Sequence, residues 1–179
     1  MNLVITGEVG SGKTTWCRKY TAKLTSSGFS VGGVLCPAAY DENGRTGYDI
    51  LDLRTGMQVP LGTRDLTQVR LGERVGNYIL FTSGLDFARQ AIAESLQAGS
   101  EVIFLDEIGP LELSGGGLAE MAKRAHKEAP NTISVVRKSI VTEFMKKFGK
   151  STTQFFEYEI NPNPGNSGEE VIMDQFATL

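Results

Sequence analysis

Asn2-Leu3-Val4-Ile5-Thr6 runs directly into Gly7-Glu8-Val9-Gly10-Ser11-Gly12-Lys13-Thr14-Thr15, a short apolar strand followed by a complete G-x-x-x-x-G-K-[ST] loop. The helical spacing of Trp16, Cys17, Tyr20 and Leu24 predicts a helix directly after the loop, stopped by Gly28. Strand, glycine-rich turn and helix in that order form a phosphate cradle. Successive backbone N–H groups curl inward, which side chains at the glycine positions would obstruct. The helix that starts near Lys13 adds the positive end of its dipole and its unpaired first-turn N–H groups. Lys13 brings a mobile charge for β- and γ-phosphates, and the Thr14 hydroxyl can ligate Mg²⁺. The stretch from Gly7 to Thr15 therefore predicts a nucleoside triphosphate, or something very like one, as ligand.

Working outward, the partner of such a loop is an apolar strand that ends on a carboxylate. Val102-Ile103-Phe104-Leu105-Asp106-Glu107 is that pattern. Asp106 is the candidate to hold Mg²⁺ through water. Glu107, directly after it, is placed to orient and polarise the water that attacks the γ-phosphorus, although adjacent acids also occur as solvated residues at strand ends. Arg137 follows the apolar run Asn131–Val136 and should reach the same rim. There its guanidinium would stabilise charge on the γ-phosphoryl group or simply pair with a surface acid. Lys138, Lys146, Lys147 and Lys150 make the next segment basic, either as a solvated face or as a lid over phosphates. Guanine selection by an N-K-x-D element is absent, and no element selects adenine either.

The remaining pattern alternates strands and helices. Phe29 to Cys36 reads as a second strand. Gly47–Leu53 and Met57–Leu61 read as an inserted antiparallel hairpin, with residues 62 to 77 polar and glycine-punctuated and Tyr78 to Thr82 as another short strand. Helices are expected over Leu85–Leu96, stopped by Gly99, over Leu118–Glu128 after the break at Gly115–Gly117, and over Ser139–Lys147 with Gly149 after it. Gln154 to Ile160 reads as a last strand, and Glu169 to Phe176 as a weak terminal helix. Alternation of this kind requires a mainly parallel sheet covered on both faces, with ligands collected at the carboxyl ends of its strands.

Composition agrees with an ordinary globule. The chain has 179 residues, 40% hydrophobic and 22% charged, enough for one domain over residues 1–179 with its own core. A formal net charge of −3 disfavours nucleic acid as a partner. No apolar run approaches a membrane span. An N-terminal strand committed to the loop cannot double as an export signal, so the expected location is cytoplasmic and the expected state monomeric. Cys17 and Cys36 lack metal or disulfide spacing and read as buried thiols. His126 lies among Lys123, Arg124, Lys127 and Glu128, which points to a solvated surface histidine.

The loop Gly7–Thr15, together with Val102-Ile-Phe-Leu-Asp-Glu-Ile-Gly-Pro-Leu-Glu-Leu113, resembles the thermophile-type nucleoside-triphosphatases, a family that includes the cancer-related nucleoside-triphosphatase of animals. Gly32-Gly-Val-Leu and Gly47-Tyr-Asp-Ile-Leu-Asp-Leu53 resemble the family's middle region. The resemblance implies a P-loop, RecA-like α/β sheet and slow Mg²⁺-dependent hydrolysis of several nucleoside triphosphates, ATP and GTP among them. It also implies that Lys13 and Thr14 bind phosphate and metal, that Asp106 holds the metal water, and that Glu107 is the catalytic base. Glu112 matches the same motif and reads first as structural. Gly115–Gly117 and the Asn/Pro/Gly-rich stretch after residue 160 depart from the family pattern. Two other functions fit the same loop: a kinase passing the γ-phosphate to a small nucleotide or metabolite, and a nucleotide-operated binding module.

Overall fold

The computed structural model describes residues 1–149 and 155–160. Strand β1 (Asn2–Thr6) leads through the glycine-rich loop into helix α1 (Lys13–Ser26) and strand β2 (Val31–Leu35). An antiparallel run follows: β3 (Ala38–Asp41), β4 (Gly44–Asp52), β5 (Gln58–Thr63), a 3-10 stretch at Leu66–Leu71, β6 (Gly72–Val75) and β7 (Tyr78–Phe81). Then come α2 (Thr82–Gln97), β8 (Val102–Ile108), the short α3 (Pro110–Ser114), α4 (Ala119–Glu128), β9 (Asn131–Val136), α5 (Val141–Phe148) and β10 (Phe155–Glu159).

The ten strands among the described residues join one sheet in the order β10-β1-β9-β8-β2-β4-β5-β7-β6, with β3 paired to β4. From β10 to β2 the pairing is parallel, and from β4 onward it is antiparallel. This is a mixed α/β fold built on a mainly parallel core. Period-two alternation along the strands divides the core between the two faces. Leu3, Ile5, Phe104 and Ile133 pack with Cys17, Tyr20 and Leu24 of α1. Val4, Ile103 and Leu105 point the other way, against α2, α4 and α5 through residues such as Ile92, Ala122 and Phe144. Burial on both faces explains why Val102 to Leu105 reads as an unbroken apolar run.

Gly33 has a sequence-level consequence. Its φ is +87°, and a Cβ there would sit 2.1 Å from the Phe104 carbonyl oxygen. Only glycine lets β2 lie this close to β8, and that close approach carries Cys36, three residues further on, beside Asp106.

Three expectations need revision. The inserted hairpin is present as β4 paired with β5, Ile50 opposite Val59, but it is part of a five-strand antiparallel extension. Residues 62 to 77, read as polar connection, hold the 3-10 stretch and β6. That strand lies at the sheet edge, where two of its four residues are exposed and no alternating apolar pattern marks it. His126 is not a solvated surface histidine. It is largely enclosed, its ring within hydrogen-bond reach of Thr132 and Ser134 and edge-on to Phe144 and Phe155. Cys17 and Cys36 are buried free thiols, as expected. Gln154, Lys150 and the expected helix Glu169–Phe176 lie outside the described residues. No helix among the described residues is long and apolar enough to cross a membrane.

Candidate active site

Strand order sets the site. Because β9 lies between β1 and β8, three carboxyl ends stand side by side: β1 feeding the glycine-rich loop, β9 ending before Arg137, and β8 carrying Asp106 and Glu107. They line one cavity of about 390 Å³. Val9, Gly10, Gly12, Lys13, Thr14 and Thr15 face this cavity from the loop. Gly7, Glu8 and Ser11 shape the turn from behind, with the Ser11 N–H donating to the Glu8 carbonyl at 3.1 Å. Gly12, at φ +89°, forms the left-handed step from which α1 starts. The Lys13 ammonium donates to the carbonyls of Gly7 (3.0 Å) and Glu8 (2.7 Å), so it spans the loop mouth. Burial holds it below its ordinary pKa, an effect that Glu107 and Asp106 oppose.

The two acids do not sit in regular strand. The β8–β9 register shifts between Leu105 and Ile108, and Glu107 has φ +59°, the only positive value at a non-glycine among the described residues. This bulge swings both carboxylates onto the rim. Asp106 is 1% exposed, and its Oδ2 accepts hydrogen bonds from the Thr14 hydroxyl and the Cys36 N–H, both at 2.9 Å. Its Oδ1 accepts the Glu107 N–H at 2.8 Å. Burial, reinforced by the neighbouring Glu107 charge, pushes the Asp106 pKa up to about 7 against the pull of those hydrogen bonds. Burial also raises Glu107, whose charge is favoured in turn by Arg137, Arg45 and Lys13. About a third of the Glu107 side chain still faces the cavity.

Arg137 is brought to the site as expected, its Nη2 lying 3.9 Å from Glu107 Oε2. Of the basic segment behind it, the described lysines do not line the cavity. Lys138 pairs with Glu159 at 2.8 Å, Lys147 donates to the Leu113 carbonyl, and α5 packs Val141, Phe144 and Phe148 into the core. No signal in the sequence marked Arg45, which belonged to a stretch of turn chemistry. On β4 it lies over the Tyr48 ring at 4.0 Å and lines the cavity opposite Glu107, its Nε buried without a hydrogen bond. Arg18, one turn along α1 from Thr14, also lines the cavity.

A family profile described as NTPase matches residues 2–167. The nucleoside-triphosphatase THEP1 of Methanopyrus kandleri is 34% identical over 135 residues, which cover 75% of this chain and 72% of that protein. Its counterpart in Sulfurisphaera tokodaii is 33% identical over 148 residues, 83% of this chain and 84% of that one. The chain belongs to the THEP1 nucleoside-triphosphatase family. Solved structures share the fold. The crystal structure of THEP1 from Aquifex aeolicus matches with a TM-score of 0.74 at 22% identity over 98% of both chains. The solution structure of a human cancer-related nucleoside triphosphatase matches at 0.68 and 20% identity, over 99% of this chain and 96% of that one.

Within this THEP1 family member, Glu112 has the structural place expected of it. Its two carboxylate oxygens accept the Gly109 N–H (2.9 Å) and the Leu118 N–H (3.2 Å), closing α3 and the glycine turn behind the acids. The donor set also fits Mg²⁺. The Thr14 hydroxyl and the Asp106 carboxylate are hard oxygen donors already in contact. Such a pair suits an ion that keeps most of its shell for water and phosphate oxygens.

Proposed function

We propose that this protein is a Mg²⁺-dependent nucleoside triphosphate hydrolase of broad base tolerance, converting the triphosphate to diphosphate and phosphate. The observation that carries this reading is the bulge at Asp106–Glu107, which faces the phosphate loop with one carboxylate tied to Thr14 and the other turned to the cavity beside Arg137. The loop amides and Lys13 bind the β- and γ-phosphates and align the chain of phosphorus atoms. Thr14 and Asp106 would hold Mg²⁺, which would supply neutralisation of the phosphate charge. Glu107 orients a water molecule and accepts its proton as the water oxygen bonds to the γ-phosphorus. Arg137, joined by Arg45, offsets the charge that builds on the γ-phosphoryl oxygens and on the departing diphosphate. The cavity walls supply an exposed ring at Tyr40 and the aliphatic side chain of Val9, surfaces any base can rest on, which supports base tolerance. Two buried free thiols are in keeping with a reducing, cytoplasmic setting.

Phosphate release from ATP, GTP, CTP and UTP, with Mg²⁺ and with EDTA, tests this directly. The expectation is release from all four at rates within about tenfold of one another, abolished by EDTA. Release that ignores Mg²⁺ would overturn the metal assignment, and failure of folded protein to bind any Mg²⁺–nucleotide would overturn the whole reading.

A further inference from the structure

Next to the nucleotide cavity lies a second one, of about 100 Å³, between the antiparallel extension and the turn that follows the acids. Cys36, Tyr48, Glu107 and Arg137 line both cavities, so the two meet at the catalytic rim. Away from that junction the walls are apolar: Leu61, Val75, Leu80, Leu85, Leu111 and Leu118. The polar groups deeper in the wall are already engaged. Glu112 holds two backbone N–H groups, and the Tyr78 hydroxyl accepts from Arg64 Nε at 3.0 Å. Hydrogen-bonding capacity is therefore left at one end, where Glu107 and Arg137 stand.

We propose that this cavity is an acceptor site, and that the protein also transfers the γ-phosphoryl group to a compact apolar alcohol. The inference rests on the reading of Glu107 as the group that takes the attacking proton. With the apolar body among the leucines, the hydroxyl is left at the junction, where the Glu107 carboxylate is the group that can accept its proton. The alcohol oxygen forms a bond to the γ-phosphorus while its proton passes to Glu107. The bond from that phosphorus to the β–γ bridging oxygen breaks, and its electron pair leaves on the nucleoside diphosphate. The products are a phosphate monoester and the diphosphate, and the proton on Glu107 returns to water. Hydrolysis is the same step with water in place of the alcohol.

Size and lining define the acceptor class. A closed apolar cavity of roughly 150 Å³ accommodates benzene, so this smaller one, open at its rim, suits an apolar body on the order of four or five heavy atoms. A nucleoside monophosphate is too large, and a second phosphate would find Arg137 as its only cation in the wall.

The test is ³¹P NMR of the full chain turning over Mg²⁺–ATP in the presence of 3-methylbutan-1-ol or, at equal concentration, ethanol. The expected result is alkyl phosphate beside inorganic phosphate, with a monoester-to-phosphate ratio at least about tenfold higher for the branched alcohol, since its added carbons are bound in the pocket. Val75→Phe, which fills the cavity from the sheet edge, should cut the branched ester by about tenfold while hydrolysis without alcohol stays unchanged. Inorganic phosphate as sole product while ATP is consumed overturns the acceptor site and leaves the hydrolase standing. Equal ratios for both alcohols also overturn it, because transfer would then need no pocket. If ATP is not consumed at all, the hydrolase reading fails and the transfer with it.

Discussion

Glu107 adopts a left-handed backbone, at φ +59°, that a residue with a side chain pays roughly 1–3 kcal/mol to occupy. The conformation is retained because it aims the carboxylate at the loop instead of along β8. Two substitutions separate the chemistry from the strain. Glu107→Gln keeps shape and loses the proton acceptor, so phosphate release should fall about 100-fold or more while calorimetry still registers Mg²⁺–nucleotide binding. Lys13→Ala should lose binding itself, because the loop amides alone do not neutralise the phosphates. Normal turnover by the Gln variant would remove Glu107 from the mechanism. Glu107→Gly, in turn, relieves the left-handed strain and removes the repulsion between two adjacent acids, partly offset by glycine's entropy in the unfolded chain. It should be inactive yet more stable by about 1 kcal/mol, or roughly 2–4 °C in thermal midpoint. A loss of stability would show that the side chain's contacts outweigh the backbone cost. Most of the site was legible at this scale because a loop and an acid pair in sequence order are local patterns. Arg45 was not legible: a lone arginine after a turn acquires meaning only when β4 folds back beside β2.

Single elements explain what could be read of the fold and what could not. Strands β1, β8 and β9 are covered on both faces, so they are unbroken apolar runs that stand out from their flanks. Tyr78–Phe81 (β7) also stands out as a short apolar run, but β6 is partly exposed and bounded by Gly72 and Gly76, and pairing with β7, not its own sequence, makes it a strand. The motif after the acids behaves differently again. Gly109 to Leu118 is too short and glycine-rich to be a stable helix by propensity, and Glu112 supplies what propensity lacks by accepting from both ends of the turn. Glutamine has one acceptor oxygen and cannot replace both contacts. Glu112→Gln should therefore leave one buried N–H unpaired and destabilise the protein by about 1–3 kcal/mol in urea unfolding. Hydrolysis should drop less than for Glu107→Gln. A variant as stable as the parent would mean that water satisfies the freed N–H.

Across the whole molecule, the parallel core is closed at β1 and β10 by aromatic packing around one histidine. His126 belongs to α4, but its ring reaches Asn2 of β1 and Thr132 and Ser134 of β9, and it packs against Phe144, Phe148 and Phe155 from α5 and β10. Its spacing of four from Ala122 placed it on the buried stripe of α4, a signal masked by the charges on either side. Burial lowers its pKa from 6.5 to about 4. Above pH 6.5 the ring is neutral in both folded and unfolded chains and contributes no pH dependence. As pH falls from 6.5 toward 4, the unfolded chain takes up a proton that the folded chain refuses, so stability declines. The loss levels off below about pH 4, at a total on the order of 3 kcal/mol. Urea midpoints measured from pH 7.5 to pH 4 should therefore fall more steeply for the parent than for His126→Gln, which carries no titrating ring. Carboxylates titrate equally in both proteins and cancel in the comparison. Parallel curves would mean that the ring is protonated inside the fold, and the aromatic cluster would then have to open to water in acid.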